Sequence, residues 1–513
     1  MKMLDSFLEG RWVSGSGRTS TLYDPTTEEA VAQTCTEGLD LGGALEFARQ
    51  TGGSALKSLS FAQRGELLAA VSKAVHGYRD ELCDLARING GNTRGDAKFD
   101  IDGGTGTMMY YAKLAASLGD KPYLVEDGLE QLTRAPRYVG RHLRTPLPGV
   151  AVHINAFNFP AWGLMEKAAV ALLAGVPVVA KPATSTALVA HRIMQIIAEA
   201  DILPAGALSL LCGSAGDLLD QLQLGDAVAF TGSSGVGNLV RQSALGKARV
   251  NVEADSLNAV VLGPDVDDDS ETWELFLREA AKEMTQKTGQ KCTATRRIFV
   301  PKDKIEQVAE ELGEHLSLVR VGNPALREVR MGPLATEQQF RDVRAGVGRL
   351  SESCAVAYGD GGRGELTGIE GDKGWFMSPV VLVAPDYKTP AVHADEVFGP
   401  VSTLLPYSGD PSEALEGVRM GGGGLVASVY TDRPDFAREV VLGLATWSGR
   451  VTVGSARVAE HSPGPGVVMP QMIHGGPGRA GGGEELGGQR GLSFYLQRTA
   501  VQGSKALLEK ILD

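Results

Sequence analysis

The sequence predicts an α/β protein with a parallel sheet and a second α/β unit behind it. Three observations carry this. From residue 148, short apolar β runs alternate with amphipathic helical stretches. The alternation resumes after residue 270. The residues just past each β run are small, polar and often glycine, as expected where a parallel sheet meets its ligand. A chain of 513 residues, 43% hydrophobic and 22% charged, is ample for large cores.

Taken in order, residues 40–90 and 104–118 place apolar residues at helical spacing. Residues 131–146 mix β-formers with Arg134, Arg137, Arg141 and Arg144 and read as an exposed hairpin arm. Those arginines suit a solvated or subunit-contacting surface better than an anion site. P-G-V-A-V-H-I-N (148–155) is a β run, and Trp162 to Leu173 is a helix ended by Gly175. V-P-V-V-A-K (176–181) is a second β run, and Ala187 to Ala200 a second helix. A-L-S-L-L-C (207–212) reads as strand, Asp217 to Leu224 as helix, and A-V-A-F-T-G (227–232) as strand again. A helix over 271–288 precedes a polar turn, K-T-G-Q-K-C-T-A-T, and R-R-I-F-V follows as strand. Near the end, G-L-S-F-Y-L-Q-R-T-A-V reads as a closing strand.

The formal charge of −12 argues against nucleic acid as a partner. No run of about 18 apolar residues predicts a membrane span, and the N-terminal residues lack a signal-peptide core. The five cysteines show neither a disulfide framework nor C-x-x-C spacing, so no metal is expected and a reducing, cytoplasmic setting is.

One of the five stands apart. A lone cysteine is usually a small buried hydrophobe. Cys292, however, sits in a polar turn beside Lys291, and a nearby cation or a set of N–H groups would lower its pKa toward a usable thiolate. A thiolate attacking a carbonyl also needs an oxyanion donor and a base. Asn158, after a β run, is an amide of the oxyanion type, or a turn asparagine. Glu253 ends R-V-N-V-E, and partial desolvation there would raise its pKa toward neutrality; otherwise it is a strand-end acid facing water. Lys181 can hydrogen-bond a ribose or phosphate, and T-G-S-S-G-V-G (231–237) is placed to meet phosphate at a helix start.

F-N-F-P, V-V-A-K-P-A, F-T-G-S-S-G-V-G, the strand-end Glu253, G-Q-K-C, D-E-V-F-G-P-V (395–401) and G-G-G-E-E-L-G (481–487) together resemble the aldehyde dehydrogenase family, in its order and near its spacings, over almost the whole chain. The resemblance implies an aldehyde dehydrogenase fold with three parts. A Rossmann-like cofactor domain takes residues 1–127 and 147–255, and an α/β catalytic domain takes 256–470. A β-arm oligomerisation element takes 128–146 and 485–513, and implies a homodimer. It implies Cys292 as nucleophile, Asn158 as oxyanion donor, Glu253 as the base for water, and Lys167 and Glu485 as proton carriers. Ile154, Phe157, Lys181, Thr184, Ser185, Ser233, Val236, Glu396 and Phe398 match cofactor-contacting positions. Where NAD-preferring members often carry Glu, this chain has Thr184 followed by Ser185, a hydroxyl pair able to donate to a 2′-phosphate. NADP is therefore the expected cofactor, with NAD possible.

The sequence departs from the family at several places. E-A-D-S-L stands where the family has E-L-G-G-K, Phe157 replaces a tryptophan, Lys291 precedes the matched cysteine, and the Glu253–Cys292 interval is a few residues longer than is usual in the family. With the tail Q-M-I-H-G-G-P-G-R-A-G-G-G-E-E-L-G-G, this pattern is similar to a branch of semialdehyde dehydrogenases from aerobic CoA-thioester routes for aromatic acids, which implies a CoA-linked semialdehyde substrate and a part in benzoate degradation. A CoA-acylating dehydrogenase is the rival enzyme class, and would not need Glu253. A non-enzymatic binding protein is disfavoured by retention of both nucleophile and base.

Overall fold

The computed structural model describes residues 1–512. Two seven-stranded sheets form its frame. The first runs in the order Ala248–Glu253, Asp226–Thr231, Ala151–Ile154, Val178–Lys181, Leu208–Leu210, Ser6–Leu8 and Arg11–Val13. Its first five strands are parallel, and the N-terminal hairpin closes it antiparallel. The second runs Ala355–Tyr358, Val380–Val383, Val401–Tyr407, Arg297–Pro301, Ala259–Leu262, Gly424–Tyr430 and Ser448–Gly454, parallel except for its first strand.

The strands are short apolar runs because both faces are covered. Val152, Val179, Val228 and Phe230 pack to one side of the first sheet. Ala151, Val178 and Ala180 face the other, against the helices Trp162–Ala174 and Ala187–Glu199. Gly175 ends the former helix in the left-handed conformation at φ +88°, which glycine adopts without Cβ strain.

Two expected elements take another form. Asp217 to Leu224 is a series of turns: eight residues between glycines are too few for a helix that is not tightly packed. G-L-S-F-Y is the end of a helix, Gln489–Tyr495, and only then does strand Leu496–Ser504 begin. That strand pairs along its whole length with Tyr138–Pro146, so arm and tail form one sheet, extended by Leu124–Val125 and Glu130–Gln131.

No helix among the described residues is long and apolar enough to cross a membrane.

Candidate active site

The strand ends of the first sheet face the turn that carries Cys292. Helix Glu271–Thr285 delivers the chain to this turn, where Lys287, Thr288 and Gly289 are all left-handed, with φ of 53°, 57° and 67°. Such conformations cost about 1–3 kcal/mol each outside glycine, and the surroundings hold them. Asp96 accepts from the Lys287 N–H (3.0 Å), Thr288 Oγ1 donates to the Gly332 carbonyl (3.0 Å), and Arg296 donates to the Gly289 carbonyl (2.9 Å). Asn258 Nδ2 donates to the carbonyls of Cys292 (2.7 Å) and Ala294 (2.8 Å), pinning the backbone of the cysteine turn.

Two cavities meet at the sulfur. The larger, about 1580 Å³, is lined by Ile154, Phe157, Lys181, Thr184, Ser233, Val236, Glu396 and Phe398. The smaller, about 490 Å³, is walled by Phe99, Phe159, Trp162 and Val468, with edge-on ring contacts of 5.2–5.9 Å among the three aromatics. Asn158, Glu253 and Cys292 line both cavities.

Of the residues read from sequence, Ser185 does not line either cavity. Thr184 does, but its hydroxyl donates to the Gly213 carbonyl (3.0 Å), so the expected donation to a phosphate is corrected. The acceptor lies 29 residues on, just past the neighbouring strand Leu208–Leu210, which the sequence alone could not reveal. Lys181 spends one proton on the Pro182 carbonyl (3.1 Å) and keeps its amine on the cleft. Ser233 caps helix Ser234–Ala244, whose N-terminal dipole favours an anion. Glu396 accepts from the Ser256 N–H (3.1 Å) and from Arg296 (3.4 Å); burial raises its pKa to about 7. Phe157 and Phe398 meet edge-on at 5.8 Å. Asn158 donates to the Gln290 carbonyl (3.0 Å), which aims its amide at the cysteine turn.

Three further expectations are corrected or extended. Lys291 does not activate Cys292: its ammonium turns away, to Glu283 (2.7 Å) and Gln286 (2.9 Å), because successive residues of the turn point to opposite sides. The thiol pKa is raised, first by burial and then by the Glu253 carboxylate, so the resting group is the thiol. Glu253 is not raised toward neutrality. Burial pushes its carboxyl up, but His474, whose Nε2 lies 3.0 Å from Oε1, and Lys167 together hold it below the usual carboxylate range. His474 itself is lowered by burial and raised by Glu253, with a net rise.

His474 was not read from the sequence. It sits on strand Ile473–Gly475, directly across from Glu485 on Glu484–Leu486. Glu485 in turn pairs with Lys167 (3.1 Å) and accepts from Asn251 (3.1 Å), and Lys167 reaches Glu166 (3.4 Å). Burial raises Glu166 to about 7. The only signal for His474 was an imidazole beside a double glycine in the tail motif.

This arrangement places a half-buried thiol, a carboxylate and an amide at the junction of a large cleft and an aromatic pocket. The profile of the aldehyde dehydrogenase family matches residues 12–501. The chain belongs to the aldehyde dehydrogenase family. Among relatives of this dehydrogenase, the 3,4-dehydroadipyl-CoA semialdehyde dehydrogenase of Aromatoleum evansii is 43% identical, over 92% of this chain and 93% of its own. The non-phosphorylating aspartate-semialdehyde dehydrogenase of Halomonas elongata is 30% identical over 96% and 94%. Among solved structures, a 3,6-anhydro-L-galactose dehydrogenase in complex with NAP superimposes with a TM-score of 0.85 at 22% identity, over 98% of this chain and 100% of that one. A Staphylococcus aureus betaine aldehyde dehydrogenase in complex with NAD+ gives 0.82 at 22%, over 98% and 96%. At that identity the two structures establish the shared fold.

Proposed function

We propose that this dehydrogenase oxidises a CoA-linked semialdehyde of the 3,4-dehydroadipyl type to its acid, with NADP preferred over NAD. The observation that carries the reaction is the junction of the two cavities at Cys292, Glu253 and Asn158. The substrate class is supported by the 43% identical relative that bears that name.

The nicotinamide cofactor fits the larger cleft on two counts: the capped helix start at Ser233 and the Lys181 amine. Ile154, Phe157, Val236 and Phe398 would flank it, and Lys181 and Glu396 would hold its riboses. When bound, it supplies the hydride acceptor.

The chain's own residues then act in sequence. The aldehyde enters the aromatic pocket. Cys292 Sγ attacks the carbonyl carbon while its proton passes to Glu253. The Asn158 amide and the Cys292 N–H hold the oxyanion of the resulting thiohemiacetal. Loss of hydride leaves a thioester on Cys292. Glu253, having shed its proton toward the Glu166–Lys167–Glu485 cluster, takes one from water, and the hydroxide releases the acid and restores the sulfur. His474, donating to Glu253, keeps that carboxylate ionised and aimed at the sulfur.

Position 184 carries no acid to repel a 2′-phosphate, and Lys181 stands close by in sequence with its amine on the same cleft. The preference for NADP rests on these two features. The remaining proposals concern assembly. Residues 1–127 with 147–255 and residues 256–470 are the cofactor and catalytic domains, and the arm with the tail, 128–146 and 485–513, joins two copies into a homodimer in the cytoplasm.

A steady-state assay with the CoA semialdehyde tests this reading, comparing NADP with NAD in the absence of free CoA. NADPH formation without added CoA is expected. A strict requirement for free CoA would move the protein to the acylating class and remove the role given to Glu253.

A further inference from the structure

Cys292, Glu253 and His474 come from three distant segments and bring a sulfur, a carboxylate oxygen and an imidazole nitrogen together. Sγ and Nε2 are 3.9 Å apart, Nε2 and Oε1 3.0 Å, and the three atoms lie within 4.8 Å of one another. Thiolate, imidazole and carboxylate are the donors of tetrahedral zinc, at about 2.3, 2.0–2.1 and 2.0–2.2 Å. Those bonds place neighbouring ligand atoms about 3.4–3.6 Å apart. The S–N separation must close and the N–O separation open by about 0.3–0.4 Å each, and the S–O separation, no more than 4.8 Å, must close by at most about 1.2 Å, all by side-chain rotation.

We propose that these three side chains form a binding site for a zinc-class divalent cation that reversibly inhibits the enzyme. The fourth position opens on the aromatic pocket, through which the ion enters. The surroundings favour positive charge: Glu166 and Glu485 lie beside the trio, with Lys167 and the Arg450 guanidinium as the nearby cations. On binding, Cys292 loses its thiol proton and His474 its extra proton to solvent, one metal–sulfur, one metal–nitrogen and one metal–oxygen bond form, and no electrons are transferred. The nucleophile's lone pair and the base are then both occupied. Magnesium and calcium want six or more oxygen ligands and gain nothing from the sulfur and imidazole of this trio. Cysteine spacing gave no hint of the site because each ligand comes from a different segment.

The test uses the purified full-length protein without aldehyde, and reads binding rather than turnover, so it stands apart from the proposed reaction. Zinc is expected to protect Cys292 from iodoacetamide at least tenfold, with a chelator restoring alkylation and magnesium having no effect. Cobalt is expected to show a thiolate-to-metal charge-transfer band in the near ultraviolet. The band should vanish in Cys292→Ala, and cobalt affinity should fall at least tenfold in His474→Phe. His474→Gln serves as the second variant should the phenylalanine disturb folding, judged by circular dichroism. Cobalt binding without the band, zinc binding without protection, or unchanged affinity in both His474 variants would overturn the proposal.

Discussion

Replacing Glu253 with glutamine separates the two roles of the carboxylate. Its oxygen lies no more than 4.8 Å from Cys292 Sγ. At that distance and an effective dielectric of about 20, a carboxylate and a thiolate repel by at least about 3.5 kcal/mol, which holds the thiol's titration up. Glu253→Gln removes that repulsion while keeping shape and hydrogen bonding. Burial, Glu166, Glu396 and Arg450 act on the thiol in both proteins. His474 partly offsets the repulsion while protonated, so the difference is read on the alkaline side. The assay is the rate of iodoacetamide alkylation of Cys292 against pH, followed by mass spectrometry. The variant's alkylation should rise at lower pH than the wild type's, because the carboxylate that holds the thiol up is gone. An unchanged or higher midpoint would refute the assignment of the raised thiol to Glu253. The same variant should lose turnover, since water then lacks its base.

Two more outcomes follow from single contacts. Thr184→Glu sets an acid in the large cleft, and kcat/KM with NADP should fall at least tenfold relative to that with NAD; an unchanged ratio would show that position 184 does not discriminate. A Cβ on Gly289 would lie 2.2 Å from the Gly399 carbonyl oxygen, at a φ of +67°, so Gly289→Ala should cost about 2–4 kcal/mol in thermal unfolding. Gly77→Ala, with nothing within 4 Å, is the control and should not lower stability.

The alternation of β runs and helices was legible because parallel strands covered on both faces leave a strong apolar signature, as in V-P-V-V-A-K. That Cys292, Asn158 and Glu253 meet was legible because each falls in a polar segment just beside a regular element. What escaped was the direction in which each side chain points, and so the partner it meets. Lys291 is next to Cys292 in the chain yet buried against Glu283. The charge state of Glu253 is set by His474 and Lys167, from the tail and from helix Trp162–Ala174. Thr184 looked free until Gly213 was seen to take its proton. In each case residue type was a sound guide to position, and the direction of the side chain was not.

The central claim is that Cys292 carries the acyl group and Glu253 releases it. Intact-mass and peptide mass spectrometry of Glu253→Gln, incubated with aldehyde and NADP at alkaline pH where the thiol ionises without its base, tests this most directly. The account predicts an acyl adduct on Cys292 that accumulates with one equivalent of NADPH and is absent from Cys292→Ala. An adduct on another residue, or NADPH formation that continues through many turnovers in the glutamine variant, would contradict it.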